Sequence, residues 1–345
     1  MVISVALGAV AVGLLGLEIA LRWADGLPLT GGFGRHCNAF FSQNELVAYH
    51  PRLGWTLAPN LRLPGMTSDE HGNRLPSATP RALPVGAVLA CGDSFTAGSE
   101  VVDSESWPAL LEQRIGAPVI NAAGGGWGAD QIAMRAEEFL VAARPRVLIV
   151  SFFRDDMERA ELGAWDLARK PYYVIRDGAL ELRGVPVPLV STGRAEAIVG
   201  RCYLAFLVAR RLGYVGRGRP PERTAPVGAG VEIARRLLER LKVAMDQAGG
   251  RMLFLVQYGH PDVGGALNAH EAELVKQAKA IAALARDSGI ETIDPWERLS
   301  ALHERDMLAY QALFIKHPDG GYGHMSKAGN QLIADMVADA LLGQA

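Results

Sequence analysis

Four short segments carry residue types that could do chemistry together. The first, Cys91-Gly92-Asp93-Ser94-Phe95-Thr96-Ala97-Gly98, closes an apolar run and sets a hydroxyl in a glycine-bounded turn, the exposure a nucleophilic serine needs. Ser and Asp also favour plain turns and helix caps, so this segment alone leaves both readings open. The second, Asn121-Ala122-Ala123-Gly124-Gly125-Gly126-Trp127-Gly128, lets the backbone approach a ligand and turn N–H groups toward a developing negative charge. The third is Ser151-Phe152-Phe153-Arg154-Asp155-Asp156, at the end of another apolar run. The fourth, Asp319-Gly320-Gly321-Tyr322-Gly323-His324-Met325-Ser326, puts His324 on a glycine-rich loop before the last amphipathic stretch. Imidazole, with an ordinary pKa of about 6.5, is the group suited to take a serine proton at neutral pH.

Competing chemistries fit less well. Neither glycine segment has the dinucleotide spacing, and neither ends in Lys followed by Ser or Thr as a phosphate loop does. His260 has no partner in sequence. His317 lies seven residues before His324, a spacing without metal meaning, and no HExxH or CxxC accompanies it. Cys37, Cys91 and Cys202 are too few and too scattered for a disulfide framework. Serine chemistry of this kind needs no metal and no organic cofactor. Trp127 reads first as a packing residue and second as a cleft wall.

The elements that must position these residues follow from the apolar pattern. Runs suited to buried strands occur at Gly86–Cys91, Pro118–Ala122, Val147–Phe153, Met252–Gln257 and Glu291–Ile293, with amphipathic stretches between them. One of these, Glu232–Gln247, sets Ile233, Leu237, Leu238, Leu241 and Met245 on one face. Alternating strands and helices predict an α/β fold with a mostly parallel sheet covered on both faces, and a ligand site beyond the carboxyl ends of the strands. All four chemical segments fall at such ends or in the last loop. Within 162–226 the alternation breaks: Tyr172–Arg183 reads as a hairpin turning at Asp177-Gly178, and Arg194–Arg211 as a helix, together an insertion over one sheet edge.

Of the 345 residues, 49% are hydrophobic and 21% charged, which excludes wholesale disorder. The 35 basic and 37 acidic side chains leave a formal charge of −2, giving no field for nucleic acid, and none is expected as a partner. Val2–Leu21 is interrupted only by Glu18 and is long enough to cross a bilayer, so residues 1–23 are read as a single-pass membrane anchor, ahead of a signal peptide or a buried core helix. One arginine, Arg22, says little about orientation. Residues 24–84 read as a loop-rich connecting region, and 85–345 as the catalytic domain.

The order GDSFTAG, NAAGGGWGADQ, SFFRDDM and GHMSKAGN resembles the SGNH branch of the GDSL-type esterases and lipases, from about Val85 to the C-terminus. Upstream, Tyr49-His50-Pro51-Arg52-Leu53-Gly54-Trp55, Ala58-Pro59-Asn60 and Gly72-Asn73-Arg74 resemble the lead-in of membrane-anchored bacterial members. The resemblance implies a three-layer α/β/α sandwich with Ser94 as nucleophile, His324 as base, and the Ser94 and Gly126 amides as an oxyanion hole. It also implies a cell-membrane protein whose catalytic domain lies on the periplasmic or extracellular side.

Two departures stand out. Asp155 occupies the position of the family's oxyanion-hole asparagine, and an ionised carboxylate donates no hydrogen bond. Gly321 occupies the position of the family's aspartate three residues before the histidine. Asp319, Asp294 or a backbone carbonyl is then left to orient His324, with Asp319 the first choice. The expected function is ester hydrolysis on a small-molecule or glycan ester through an acyl-enzyme on Ser94. The alternatives are O-acyl transfer to a polysaccharide, or a catalytically silent protein that binds a glycan or a partner.

Overall fold

In the computed structural model, residues 2–24, 29, 45–79, 81–165, 168–188, 202–211 and 223–343 are described. The apolar runs become strands, and the stretches between them become helices: β1 Val88–Cys91, α1 Trp107–Ile115, β2 Val119–Asn121, α2 Ala129–Ala142, β3 Val147–Phe153, α3 Ala229–Gln247, β4 Arg251–Gln257, α4 Ala269–Asp287, β5 Glu291–Ile293 and α5 Lys327–Leu342. The five strands form one sheet in the order β5-β4-β3-β1-β2, and every pairing is parallel. Helices α2, α3 and α4 pack side by side on the sheet, while α1 pairs with α5. This is the three-layer sandwich expected from the strand–helix alternation.

Burial explains why the strands read as unbroken apolar runs rather than alternating ones. Leu89, Ala90, Cys91, Leu148, Ile149, Val150 and Leu253 to Val256 are fully buried, because helices cover both faces of the sheet. On α3 the predicted face of Ile233, Leu237, Leu238, Leu241 and Met245 is the buried one. The chain runs from β1 outward to β2, then crosses to β3 on the other side of β1. The carboxyl ends of β1 and β3 therefore flank the switch point where such sheets collect their ligand site.

Two regions differ from expectation. Residues 45–75 are more ordered than a connecting loop: Val47–His50 pairs with Gly54–Leu57, and Arg62–Leu63 with Met66–Thr67, as antiparallel hairpins. Leu53 and Trp55 are buried against the domain, an anchoring that the Gly- and Pro-rich composition conceals. The insertion hairpin pairs Tyr172–Arg176 with Ala179–Arg183, as predicted, but packs on helices α2 and α3 rather than over a sheet edge. Of the helix expected over Arg194–Arg211, Tyr203–Arg211 is found; residues 194–201 lie outside the described residues.

The N-terminal segment is helical over Val2–Ala24, but among the described residues no helix is long and apolar enough to cross a membrane. The last turns of this helix dock on protein. Glu18 pairs with Arg22 at 2.6 Å and accepts from the Tyr203 and Leu204 amides at 2.7 Å each, capping the helix Tyr203–Arg211.

Candidate active site

Strand β1 delivers Ser94 through a tight turn. Asp93 caps the short helix Ser94–Ala97, its Oδ1 accepting from the Phe95 amide at 2.9 Å. Phe314–Lys316 and Tyr322–Met325 form an antiparallel hairpin that carries His324. His324 Nε2 lies 2.9 Å from Ser94 Oγ, over a separation of 230 residues. Its ring also packs on Phe95 at 4.9 Å between centroids, and Phe95 in turn stacks on Phe153 at 4.3 Å.

The carboxylate that meets His324 is that of Glu100, which the sequence did not single out. Glu100 Oε2 is 2.5 Å from His324 Nδ1 and accepts the His324 amide at 2.9 Å, while Oε1 is 2.6 Å from His317 Nε2. Partial burial pushes its carboxyl up, but the bonds from the His324 amide, the His324 ring and the His317 ring outweigh that and hold it down at about 2. The Glu100 backbone has φ 69°, a left-handed conformation that costs a non-glycine residue about 1 to 2 kcal/mol. Arg74 secures the segment that bears this strain. Its Nη1 donates to the carbonyls of Ala97 (2.8 Å) and Gly98, and Nη2 to those of Gly65 (2.9 Å) and Val101 (2.6 Å). Arg74 Nε pairs with the buried Asp103 at 2.9 Å. The lead-in segment thus fixes the loop that presents the acid.

The expected acids are engaged elsewhere. Asp319 Oδ1 accepts from the Gly321 amide at 2.9 Å, closing its own turn. Asp294 caps the Trp296 amide at 3.1 Å and faces Arg286 at 3.4 Å. Assigning Asp319 to the triad is therefore corrected in favour of Glu100. His260 stacks on Tyr322 at 3.6 Å, and its carbonyl accepts from Tyr310 Oη at 2.6 Å, which makes it a packing residue at the rim.

The glycine-rich loop is braced from below. Trp55 Nε1 donates to the Gly125 carbonyl at 2.8 Å, and the fully buried Trp127 donates to the Trp55 carbonyl at 3.1 Å, so Trp127 packs and does not wall the cleft. Gly126 has φ +70°, and a Cβ there would come within 2.9 Å of Trp165 Nε1. Among the described residues, neither the Ser94 nor the Gly126 amide donates to a protein acceptor. An oxyanion hole requires amides free in this way.

Asp155 is flanked by cations: Oδ2 lies 3.5 Å from Arg159 Nη2, and Oδ1 3.2 Å from Arg154 Nε. Arg159 Nη1 also reaches Asp156 (2.9 Å), Asp93 (3.3 Å) and the Trp127 carbonyl (3.2 Å). Asp93 and Asp156 are fully buried, and both carboxyls are pushed up by burial, Asp156 further by the neighbouring Asp93. Asp93 Oδ2 additionally accepts from Ser94 Oγ at 3.3 Å. One guanidinium serves three carboxyl groups here, and Asp155 is bound as an acceptor rather than placed as a donor.

No protein-family model matches the chain, and no curated protein matches it. Among solved structures it is similar to an alpha/beta hydrolase enzyme from the metagenome of Lake Arreo, Spain, at 14% identity over 75% of this chain and 96% of that one, with a TM-score of 0.45. It is similar to the lipase/acylhydrolase from Enterococcus faecalis at 14% identity, over 74% and 95%, with a TM-score of 0.41. The acetylxylan esterase Axe2 from Geobacillus stearothermophilus gives 14% identity, over 74% and 94%, with a TM-score of 0.42. Likeness at this level assigns no chemistry, and the functional reading rests on the site geometry.

Proposed function

We propose that the protein is a serine ester hydrolase. The observation that carries the reading is the unbroken chain from Ser94 Oγ through His324 to Glu100, at 2.9 and 2.5 Å. With its Nδ1 hydrogen given to Glu100, the imidazole keeps the Nε2 lone pair for the serine proton. Ser94 Oγ then attacks the ester carbonyl carbon while His324 takes its proton, and the carbonyl oxygen turns its new charge toward the Ser94 and Gly126 amides. His324 returns the proton to the leaving alkoxide, and water, deprotonated by the same ring, releases the acid from Ser94. Glu100 stabilises the imidazolium throughout. Its presence argues against a silent binding protein, since the acid that the sequence lacks at position 321 is supplied from another loop.

Hydrolysis of p-nitrophenyl acetate by the purified protein, with product analysis in the presence and absence of a glycan acceptor, tests this reading. Activity is expected in water alone and should fall by at least about a thousandfold in Ser94→Ala. Turnover seen only with the acceptor would replace hydrolysis by O-acyl transfer. Activity that survives in Ser94→Ala would refute the nucleophile.

The proposal extends to membrane attachment through the N-terminal helix, with the domain on the periplasmic or extracellular side. Its support is the row of exposed Val10, Val12, Leu14, Leu15, Leu17 and Ile19, and the family resemblance for the side. Protein that stays in the soluble fraction of lysed cells would contradict it.

A further inference from the structure

We propose that His317 is a positioning residue of the active site, holding Glu100 from the side opposite His324, so that one carboxylate is clamped between two imidazoles. The inference rests on the serine-hydrolase reading above and adds a fourth member to its hydrogen-bond chain.

The geometry assigns each Glu100 oxygen its own ring. Oε2 serves His324 at 2.5 Å, and Oε1 lies 2.6 Å from His317 Nε2. A glutamate needs such a second hold here. Its side chain is 32% exposed, so packing does not fix its rotamer and water competes for its oxygens. With the Nε2 hydrogen of His317 on Oε1, the carboxylate is pinned with Oε2 toward His324, which keeps the His324 hydrogen on Nδ1 and its Nε2 free to accept.

The hairpin is built to present both rings together. His317 follows the strand Phe314–Lys316 and His324 lies in the strand Tyr322–Met325, with Lys316 paired to Tyr322. The His317 amide donates to the Gly321 carbonyl at 2.8 Å, and its carbonyl accepts from Gly320 at 3.0 Å, closing the turn between the two histidines. At Gly323 a Cβ would lie 2.5 Å from Glu100 Oε2 and 2.5 Å from His317 Nε2, so the absence of a side chain there leaves the space in which the two groups meet. Among the described residues no group of three or more His, Cys, Asp or Glu side chains is placed to hold a metal ion.

The test uses p-nitrophenyl acetate kinetics together with the rate of Ser94 labelling by a fluorophosphonate. It covers wild type, His317→Ala, His317→Gln, Glu100→Gln and the double variant Glu100→Gln/His317→Ala. His317→Ala is expected to lower kcat by roughly tenfold with KM unchanged, the scale of one hydrogen bond to a charged group. His317→Gln, whose amide N–H reaches the same place, should recover most of that loss. In the Glu100→Gln background, His317→Ala should cost nothing further, because the group it positions is gone. Since His317 is 40% exposed, folding should survive its truncation, and thermal melts of the single variants will verify this. An unchanged kcat in His317→Ala, no recovery in His317→Gln, or an equal loss in both backgrounds would overturn the proposal. The labelling separates the two levels: with Ser94 labelled, such results remove only His317, whereas a wild type that neither labels nor turns over removes the hydrolase reading and the clamp with it.

Discussion

Glu100 Oε2 lies 2.5 Å from Nδ1 of His324, across 224 residues of chain, and only six residues after Ser94. The proposed nucleophile and acid thus arrive on one short loop, and the proposed base arrives on a hairpin from the far end of the sequence. The loop's position depends on Arg74, from a segment that composition alone marks as a connector.

Glu100→Gln keeps the shape and removes the charge. The neutral amide no longer stabilises the imidazolium and can favour the wrong tautomer of His324, so kcat on p-nitrophenyl acetate is expected to fall by about a hundredfold or more. Asp319→Asn should stay within about twofold of wild type, because Asp319 is occupied with its own turn. The opposite ranking of the two variants would return the acid to Asp319.

The pH profile carries the same assignment. Glu100 titrates at about 2 in the folded protein, below its ordinary 4.5, so its contribution is complete above 4.5 and fades only as pH falls through 2. A loss of kcat/KM between pH 7 and 4.5 therefore does not belong to this carboxylate. In Glu100→Gln the anion that stabilises the imidazolium formed during attack is absent, so the plateau of kcat/KM should drop. A plateau left in place would mean that Glu100 does not face His324.

Sheet, layers and the places of Ser94, Gly126 and His324 were legible because each is local: apolar runs of strand length, a helical face repeating through Glu232–Gln247, and glycine-rich turns at strand ends. The acid was not. Glu100 belongs to a turn whose relation to His324 is made entirely by tertiary contacts, and a search for acids near the histidine in sequence leads to Asp319. The seven-residue spacing of His317 and His324 had no meaning as a metal pattern, and acquires one only when the hairpin folds both toward the same carboxylate. The N-terminal helix was legible as a helix, but the docking of Glu18 on the helix Tyr203–Arg211 was not.

Arg74→Met tests the support of the loop. It would leave Asp103 buried without its cation and four carbonyls without their donor, so a loss of about 3 to 5 kcal/mol in unfolding free energy is expected, with a lower kcat in the protein that remains folded. Urea denaturation measures it, and a change below about 1 kcal/mol would show that the loop holds itself.

Gly126→Ala tests the oxyanion loop. A Cβ at φ +70° is strained and meets Trp165, so the amide must shift, and kcat is expected to fall by roughly tenfold or more. Gly125→Ala, with open space around its added methyl, should stay near wild type. Equal behaviour of the two variants would remove Gly126 from the hole.

The most direct measurement is fluorophosphonate labelling of the wild-type protein followed by mapping of the modified peptide. Attack by an activated serine predicts one modified residue, Ser94, with labelling abolished in Ser94→Ala and strongly slowed in Glu100→Gln. Labelling of a different serine, or ester hydrolysis by a wild-type protein that does not label, would contradict the assignment of Ser94, His324 and Glu100 as the catalytic unit.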